Sequence, residues 1–321
     1  MTGPRRRVLV LRALGLGDLL AGVPALRGLR RAFPGDHVVL ALPPALREAA
    51  LATGTVDDVL PAEAPGRGVP DLTHWPGPPP DLAVDLHGNG PASRDALAAL
   101  RPRRLLAFAG PAHGPDPPPV WRADEHERRR WCRFLTAYGI PADPDDVRLP
   151  PPGTPSPAPG AVVVHPGAEA AARRWPAGRY AAVVRHLRTA GHRVVLTGGP
   201  REDALVTEVA ERAGVPPWDL LPGGLTFPRL SALVAHAALL VSGDTGLAHL
   251  AVAHGTPSVT LFGPVPPRLW GPPPGSRHIA LWWPGPPGDP HGTAPDPCLL
   301  RIDTAEVVVA ARSLLPTPSP I

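Results

Sequence analysis

The sequence predicts an α/β protein of two halves, each a parallel sheet covered by helices, with a ligand cleft expected between them. Three observations carry this reading. Short apolar runs alternate with runs of helical spacing up to about residue 140. Residues 141–160, PADPDDVRLPPPGTPSPAPG, then interrupt the pattern with proline, glycine and acidic residues, a linker composition. Beyond them the alternation restarts. At 321 residues the chain is long enough for two domains of ordinary size, expected at 1–150 and 151–321.

Residues 8–11 read as a buried strand, 15–18 as a Gly-x-Gly-Asp turn and 19–33 as a helix with Leu19, Leu20, Val23, Leu26 and Leu29 on one face. A second strand follows at 38–42, a helical stretch at 45–52 and a short strand at 58–60. Residues 61–80 are a Pro/Gly-rich loop. A strand at 82–86 ends in His87-Gly88-Asn89-Gly90, a helix follows at 93–100, and a strand at 104–108. A proline-rich loop covers 110–119 and a charged helix roughly 124–138. In the second half strands are expected at 162–164, 194–197, 239–242 and 259–262, with helices at 180–190, 203–213, 227–237 and 247–254. Residues 263–297 are again Pro/Gly-rich. Asp303 with Glu306 three residues on has capping-box spacing for a last helix.

Composition excludes several chemistries. All 32 basic residues are arginine, so a Schiff-base or P-loop lysine is absent. A net charge of +4 fits a mildly cationic protein, or an anionic ligand or membrane surface. Aromatics make up only 5% and the arginines are scattered, so a nucleic-acid partner is not expected. The two cysteines, Cys132 and Cys298, lie far apart, which suits a reducing cytoplasm. Arg12 and Asp18 interrupt the apolar run near the N-terminus, against a signal peptide, and no run of about 18 uncharged apolar residues marks a membrane span. G-x-S-x-G, H-E-x-x-H and clustered cysteines are missing, and the one D-x-D, Asp143-Pro144-Asp145, falls in the linker, so no metal site is expected.

Polar residues at predicted strand ends are the candidate site. Gly15-x-Gly17 follows a strand, but Leu20 stands where a dinucleotide fingerprint needs its third glycine. Asp18 is then either a helix-cap aspartate or a carboxylate held at the strand edge. Arg173 and Arg174, before Trp175-Pro176, are either a solvated pair or a forked contact for phosphate oxygens. His165 is either a satisfied buried histidine or part of the site. Asp244-Thr245-Gly246 precedes a helix with His249 in its first turn. That knot is either a plain N-cap or an anion site built from unpaired helix-terminal amides.

These residues resemble glycosyltransferase family 9, the ADP-heptose:lipopolysaccharide heptosyltransferases. The resemblance runs through Gly17-Asp18-Leu19-Leu20 with Pro24-Ala25-Leu26-Arg27, then Asp81-Leu82 with Asp85-Leu86-His87-Gly88. It continues in His165-Pro166-Gly167-Ala168 with Arg173-Arg174-Trp175-Pro176. Its longest motif is Asp244-Thr245-Gly246, His249-Leu250-Ala251, Gly255, Pro257 and Leu261-Phe262-Gly263-Pro264. Cys298, Ile302, Glu306 and Val307 close it. The resemblance implies a GT-B fold, two Rossmann-like doubly wound domains facing a central cleft. The acceptor would bind the first domain and the nucleotide-sugar donor the second, with the last helix expected as a candidate to pack back on the first.

It further implies inverting transfer of a heptose or related sugar, with ADP-heptose the first donor, to a glycan, glycolipid or small-molecule hydroxyl, without a required metal or cofactor. Asp18 would be the general base. Arg173 stands where the family usually has lysine and would neutralise the leaving diphosphate beside Arg174. Thr245 and Gly246 amides would hold phosphates, Asp244 sugar hydroxyls, and His249 would support the loop. Glu202 and Leu225 fall near the ribose and base contacts, and Gly17, His87 and Asn89 on the acceptor side. A cytoplasmic monomer or weak oligomer is expected, with the basic charge compatible with peripheral contact at the inner membrane surface. The alternatives are another GT-B nucleotide-sugar enzyme, an epimerase or hydrolase, and a non-catalytic nucleotide-sugar-binding protein.

Overall fold

The computed structural model describes residues 5–108, 119–221, 223–275 and 277–316. The proline-rich loop expected at 110–119 therefore lies, apart from residue 119, outside the described residues. The chain divides into two compact units, Met1–Pro150 and Pro151–Ile321.

The first unit runs β1 (Arg7–Leu11), α1 (Leu16–Ala32), β2 (His37–Leu42), α2 (Arg47–Ala52), β3 (Asp58–Pro61), β4 (Leu82–Asp85), α3 (Pro91–Ala98), β5 (Arg104–Leu106) and α4 (Glu127–Ala137). Its five parallel strands lie in the order β3-β2-β1-β4-β5. Strands β1 and β4 are buried almost throughout, which is why they read as unbroken apolar runs. The chain builds outward from β1 through β2 and β3, then crosses back to place β4 on the other side of β1. The topological switch point therefore lies between β1 and β4, where such sheets bind ligands at their carboxyl ends.

Helix α1 starts three residues earlier than the apolar spacing predicts. The Gly-x-Gly-Asp turn is itself the first helical turn, because Asp18 Oδ2 accepts the Gly15 amide at 3.1 Å.

The second unit runs β6 (Val162–His165), α5 (Ala177–Thr189), β7 (Val194–Thr197), α6 (Asp203–Ala213), β8 (Leu220–Leu221), α7 (Phe227–Ala235), β9 (Leu239–Gly243), α8 (Gly246–His254), β10 (Ser258–Leu261), α9 (Pro267–Trp270), β11 (His278–Leu281), α10 (Pro297–Leu300) and α11 (Thr304–Leu314). Its six parallel strands lie in the order β11-β10-β9-β6-β7-β8, so this switch point falls between β6 and β9. Strands β8 and β11 and helices α9 and α10 carry no periodic signal in the sequence. Each has two or four residues, and both helices open on proline. The Asp303–Glu306 capping box forms as spaced, with both bonds at 2.8 Å. Helix α11 buries Val307, Val308 and Ala311 against α5, β9 and β10 of its own unit, because its apolar stripe completes the core there. No described helix is long and apolar enough to cross a membrane.

One buried cation ties the first unit together. Arg12, just past β1, is 1% exposed. Its Nε donates to the Asp18 carbonyl at 2.6 Å, Nη1 to the Leu86 carbonyl at 2.6 Å and Nη2 to Glu127 Oε1 at 3.0 Å. Glu127 also accepts from Trp131 Nε1 at 2.6 Å and from Arg130, and the Arg12 guanidinium lies 5.3 Å from the Trp131 ring. Gly22 of α1 gives this side chain its room, since a Cβ there would sit 2.8 Å from Arg12 Nε. Truncating Glu127 leaves a buried guanidinium without its counter-charge, so Glu127→Ala should lower stability in urea unfolding by about 3–5 kcal/mol. Gly22→Ala, which displaces the same side chain, should cost about 1–3 kcal/mol. A Glu127→Ala loss under about 1 kcal/mol would show that the pair is not structural.

Candidate active site

Each switch point carries a polar cluster. In the first unit Asp18 sits in the opening turn of α1 and is almost fully buried. Its Oδ1 accepts Arg67 Nη2 at 2.8 Å and its Oδ2 the Gly15 amide. Burial alone pushes this carboxyl upward. The charges of Arg12 and Arg67, with the hydrogen bonds from Arg67 and Gly15, outweigh it and hold the pKa below the ordinary value. Asp18 thus closes the capping box of α1 from the third helical position, just past β1, and with its pKa lowered it stays ionised at neutral pH.

Arg67 was not a candidate in the sequence. It lies in the Pro/Gly-rich loop, in a 3-10 turn at Pro65–Arg67, with φ of 61°. Only the fold brings it to Asp18. Gly17 is half-buried in the same turn as Asp18. Beyond β4, Asp85 Oδ1 accepts the His87 amide at 3.0 Å and Oδ2 the Ser93 hydroxyl at 2.6 Å, which pins the loop carrying His87. The His87 ring is half-buried with Nδ1 unpartnered, while Asn89 is exposed.

In the second unit the end of β6 faces the end of β9. His165 Nδ1 lies 3.0 Å from the Thr197 carbonyl oxygen, and Nε2 lies 3.9 Å from Glu202 Oε2. Burial depresses its pKa against the opposing pull of Glu202 and the Thr197 carbonyl, so the ring is neutral. Glu202 is the N-cap residue of α6. Its carboxylate accepts the Gly199 amide at 2.6 Å and occupies space that a side chain at Gly167 would fill.

Arg173 ends a 3-10 turn, Ala171–Arg173, tied at both sides by loop residues. The Ala172 amide donates to Gly292 at 3.0 Å, and its carbonyl accepts the Asp296 amide at 3.1 Å. Gly243 lets β9 approach that turn, because a Cβ there would lie 2.9 Å from the Arg173 carbonyl oxygen. Arg173 Nη1 then donates to the Asp244 carbonyl at 3.4 Å, while its Nε is buried and unpartnered.

Thr245, not Asp244, is the N-cap of α8. Its hydroxyl makes no capping bond and is buried without a partner. The Gly246 and Leu247 amides at the start of the nine-residue α8 have no intrahelical acceptors, while the Ala248 amide donates to the Thr245 carbonyl at 3.1 Å. His249 stacks edge-on against Trp270 at 5.9 Å, a contact that no sequence pattern marked. Arg173, Asp244, Thr245 and Gly246 therefore come together. Arg174 is exposed and donates through Nε to the Ala168 carbonyl at 2.8 Å, in its own loop. Leu225 lies half-buried in the loop before α7. Among the described residues no group of three or more His, Cys, Asp or Glu side chains is arranged to hold a metal ion.

Residues 98–285, more than half of the chain, match the family described as Glycosyltransferase family 9 (heptosyltransferase). The chain belongs to that family. Among curated relatives, lipopolysaccharide heptosyltransferase 3 of Escherichia coli is 35% identical over 162 residues, 49% of this chain and 47% of the relative. The match thus spans about half the length of that relative. Among solved structures, E. coli ADP-heptose lps heptosyltransferase II superposes with a TM-score of 0.74 at 19% identity, covering 96% of this chain and 98% of the other. The E. coli heptosyltransferase WaaC with ADP follows at 0.70 and 19%, covering 96% and 99%. Both show that the fold is GT-B, two Rossmann-like units.

Asp85 gives this site of a family 9 protein a measurable pH signature. Burial pushes its carboxyl up to about 6, against hydrogen bonds from Ser93, His87 and Gly88 that pull the other way. An acid whose folded pKa exceeds its unfolded value holds its proton longer when folded. It therefore subtracts stability as pH rises between about 4 and 6, by up to about 3 kcal/mol. An Asp85→Asn amide can accept the His87 amide and donate to Ser93. The variant should match the wild type near pH 4 and exceed it above pH 6 in urea unfolding. An equal difference at both pH values would show that folding leaves the Asp85 pKa unshifted.

Proposed function

We propose that the chain is an inverting glycosyltransferase that moves a heptose from a nucleotide-diphosphate sugar, ADP-heptose first, to a hydroxyl of a carbohydrate-type acceptor. The observation that carries it is the β6–β9 switch point. There a buried Arg173 Nε and Thr245 hydroxyl lack partners beside the open N-terminus of α8. Unmet donors around a helix N-terminus suit a diphosphate. The heptosyltransferase names of the relatives, and a structural neighbour that holds ADP, support the choice of sugar and base.

In this reading the second unit, 151–321, binds the donor and the first, 1–150, the acceptor. Asp18 takes the proton of the acceptor hydroxyl as its oxygen attacks the anomeric carbon. The bond from that carbon to the diphosphate oxygen breaks, and the electron pair leaves on the diphosphate. Arg173 and the Thr245–Gly246 amides meet the charge that develops there, already oriented before reaction. Glu202 and Leu225 contact ribose and base, Asp244 the sugar hydroxyls, and His249 braces the loop against Trp270. Arg174 serves as loop support through Ala168, and Gly17 and Asn89 border the acceptor. Work in the cytoplasm, with peripheral membrane contact favoured by the net charge of +4, fits such an activity.

Two measurements test this. In a thermal-shift panel of nucleotide-diphosphate sugars, ADP-heptose at a hundred times its dissociation constant should add about 2.7 kcal/mol of stability. No response to any member of the panel would remove the donor site. Asp18→Asn should cut turnover about a hundredfold or more while leaving the ADP-heptose shift unchanged. Undiminished turnover would take Asp18 out of the mechanism.

A further inference from the structure

His87 has more to offer than a place beside the acceptor. It follows β4 at the β1–β4 switch point, and its position is fixed from two directions. Asp85 Oδ1 accepts its amide, and the carbonyl of the preceding Leu86 accepts Arg12 Nη1. The same guanidinium holds the Asp18 carbonyl through Nε, so one fork sets residues 18 and 86 side by side. The Gly68 carbonyl acts on the His87 ring in the direction that favours its protonated form. Nδ1 is buried and makes no hydrogen bond to the described residues, and with the ring proton on Nε2 it stands as a bare acceptor. Burial and the Arg12 and Arg67 charges lower the ring's pKa, against the Gly68 carbonyl and Asp18, so the ring is neutral at neutral pH. A buried acceptor left unsatisfied is costly and calls for a donor from outside the protein.

We propose that His87 Nδ1 accepts a hydrogen bond from a second hydroxyl of the acceptor substrate, while Asp18 takes the proton of the attacking one. This rests on the transferase reading above and deepens it. The site would select polyhydroxy acceptors that present two hydroxyl donors at once, one to a carboxylate and one to a neutral imidazole. A molecule with a single hydroxyl satisfies Asp18 and leaves Nδ1 empty. His87 touches the substrate in this scheme but moves no proton.

The test joins spectroscopy to kinetics. In protein labelled with nitrogen-15 at histidine, His87 should be neutral with its proton on Nε2. Excess methyl heptoside should shift the Nδ1 resonance upfield. A protonated ring or an Nδ1–H tautomer overturns the proposal, and needs no turnover to be seen. With ADP-heptose as donor and methyl heptoside as acceptor, His87→Phe should raise the acceptor KM about tenfold or more, with the donor KM unchanged. His87→Gln keeps an acceptor oxygen and should recover part of the loss. A general structural defect would move both KM values and show no recovery. Wild-type kinetics in His87→Phe would overturn the role of His87 with the transferase reading intact. Absence of transfer in the wild type would instead count against that reading.

Discussion

The buried guanidinium of Arg12 is the constraint on which the first unit depends. A charge removed from water needs a full set of partners, and Arg12 draws them from three places in the chain. It takes the carbonyl of Asp18 in α1, the carbonyl of Leu86 past β4 and the carboxylate of Glu127 in α4. Those bonds hold the helix turn with the candidate base against the loop with His87. Stability and site geometry are thus set by the same contact. The requirement explains why α1 carries Gly22 where alanine would be a better helix former, since any Cβ would collide with Arg12.

The second unit reaches a comparable result by close backbone approach. Gly243 allows the 3-10 turn at Ala171–Arg173 to press on the end of β9, and Gly167 leaves room for the Glu202 carboxylate. Arg173 is thereby delivered to Asp244 and Thr245. The local hydrogen-bond supply is deliberately short there: Arg173 Nε and Thr245 Oγ1 are buried with nothing to bond, an arrangement that favours a polar ligand. In both units the cluster forms where the strand order reverses, because adjacent loops diverge at that point and leave a crevice.

Much of this was legible in the sequence. Strands β7 and helix α6 fall on their predicted bounds, and the long periodic helices are found with shifts of a few residues at their ends. The end shifts have local causes, such as the Asp18 side chain recruiting Gly15 into the helix. What escaped was short or aperiodic. Strand β11 is a half-buried edge strand in a Pro/Gly-rich stretch, so neither alternation nor a solid apolar run marks it. Arg67 sits in a loop with no pattern at all. Arg12 left a trace, a charge at the end of an apolar strand, and such a charge always raises the question of its partner.

The sequence by itself determined the two α/β halves, the strand ends and the residues that stand on them. Those depend on periodicity and on neighbours a few positions away. Only the tertiary structure decided which partner each polar group has. Arg67 and Asp18 are 49 positions apart, and Arg12 and Glu127 are 115. No local rule links positions that distant. Their pairing follows from the strand order, which sets chain ends side by side and makes burial demand a counter-charge.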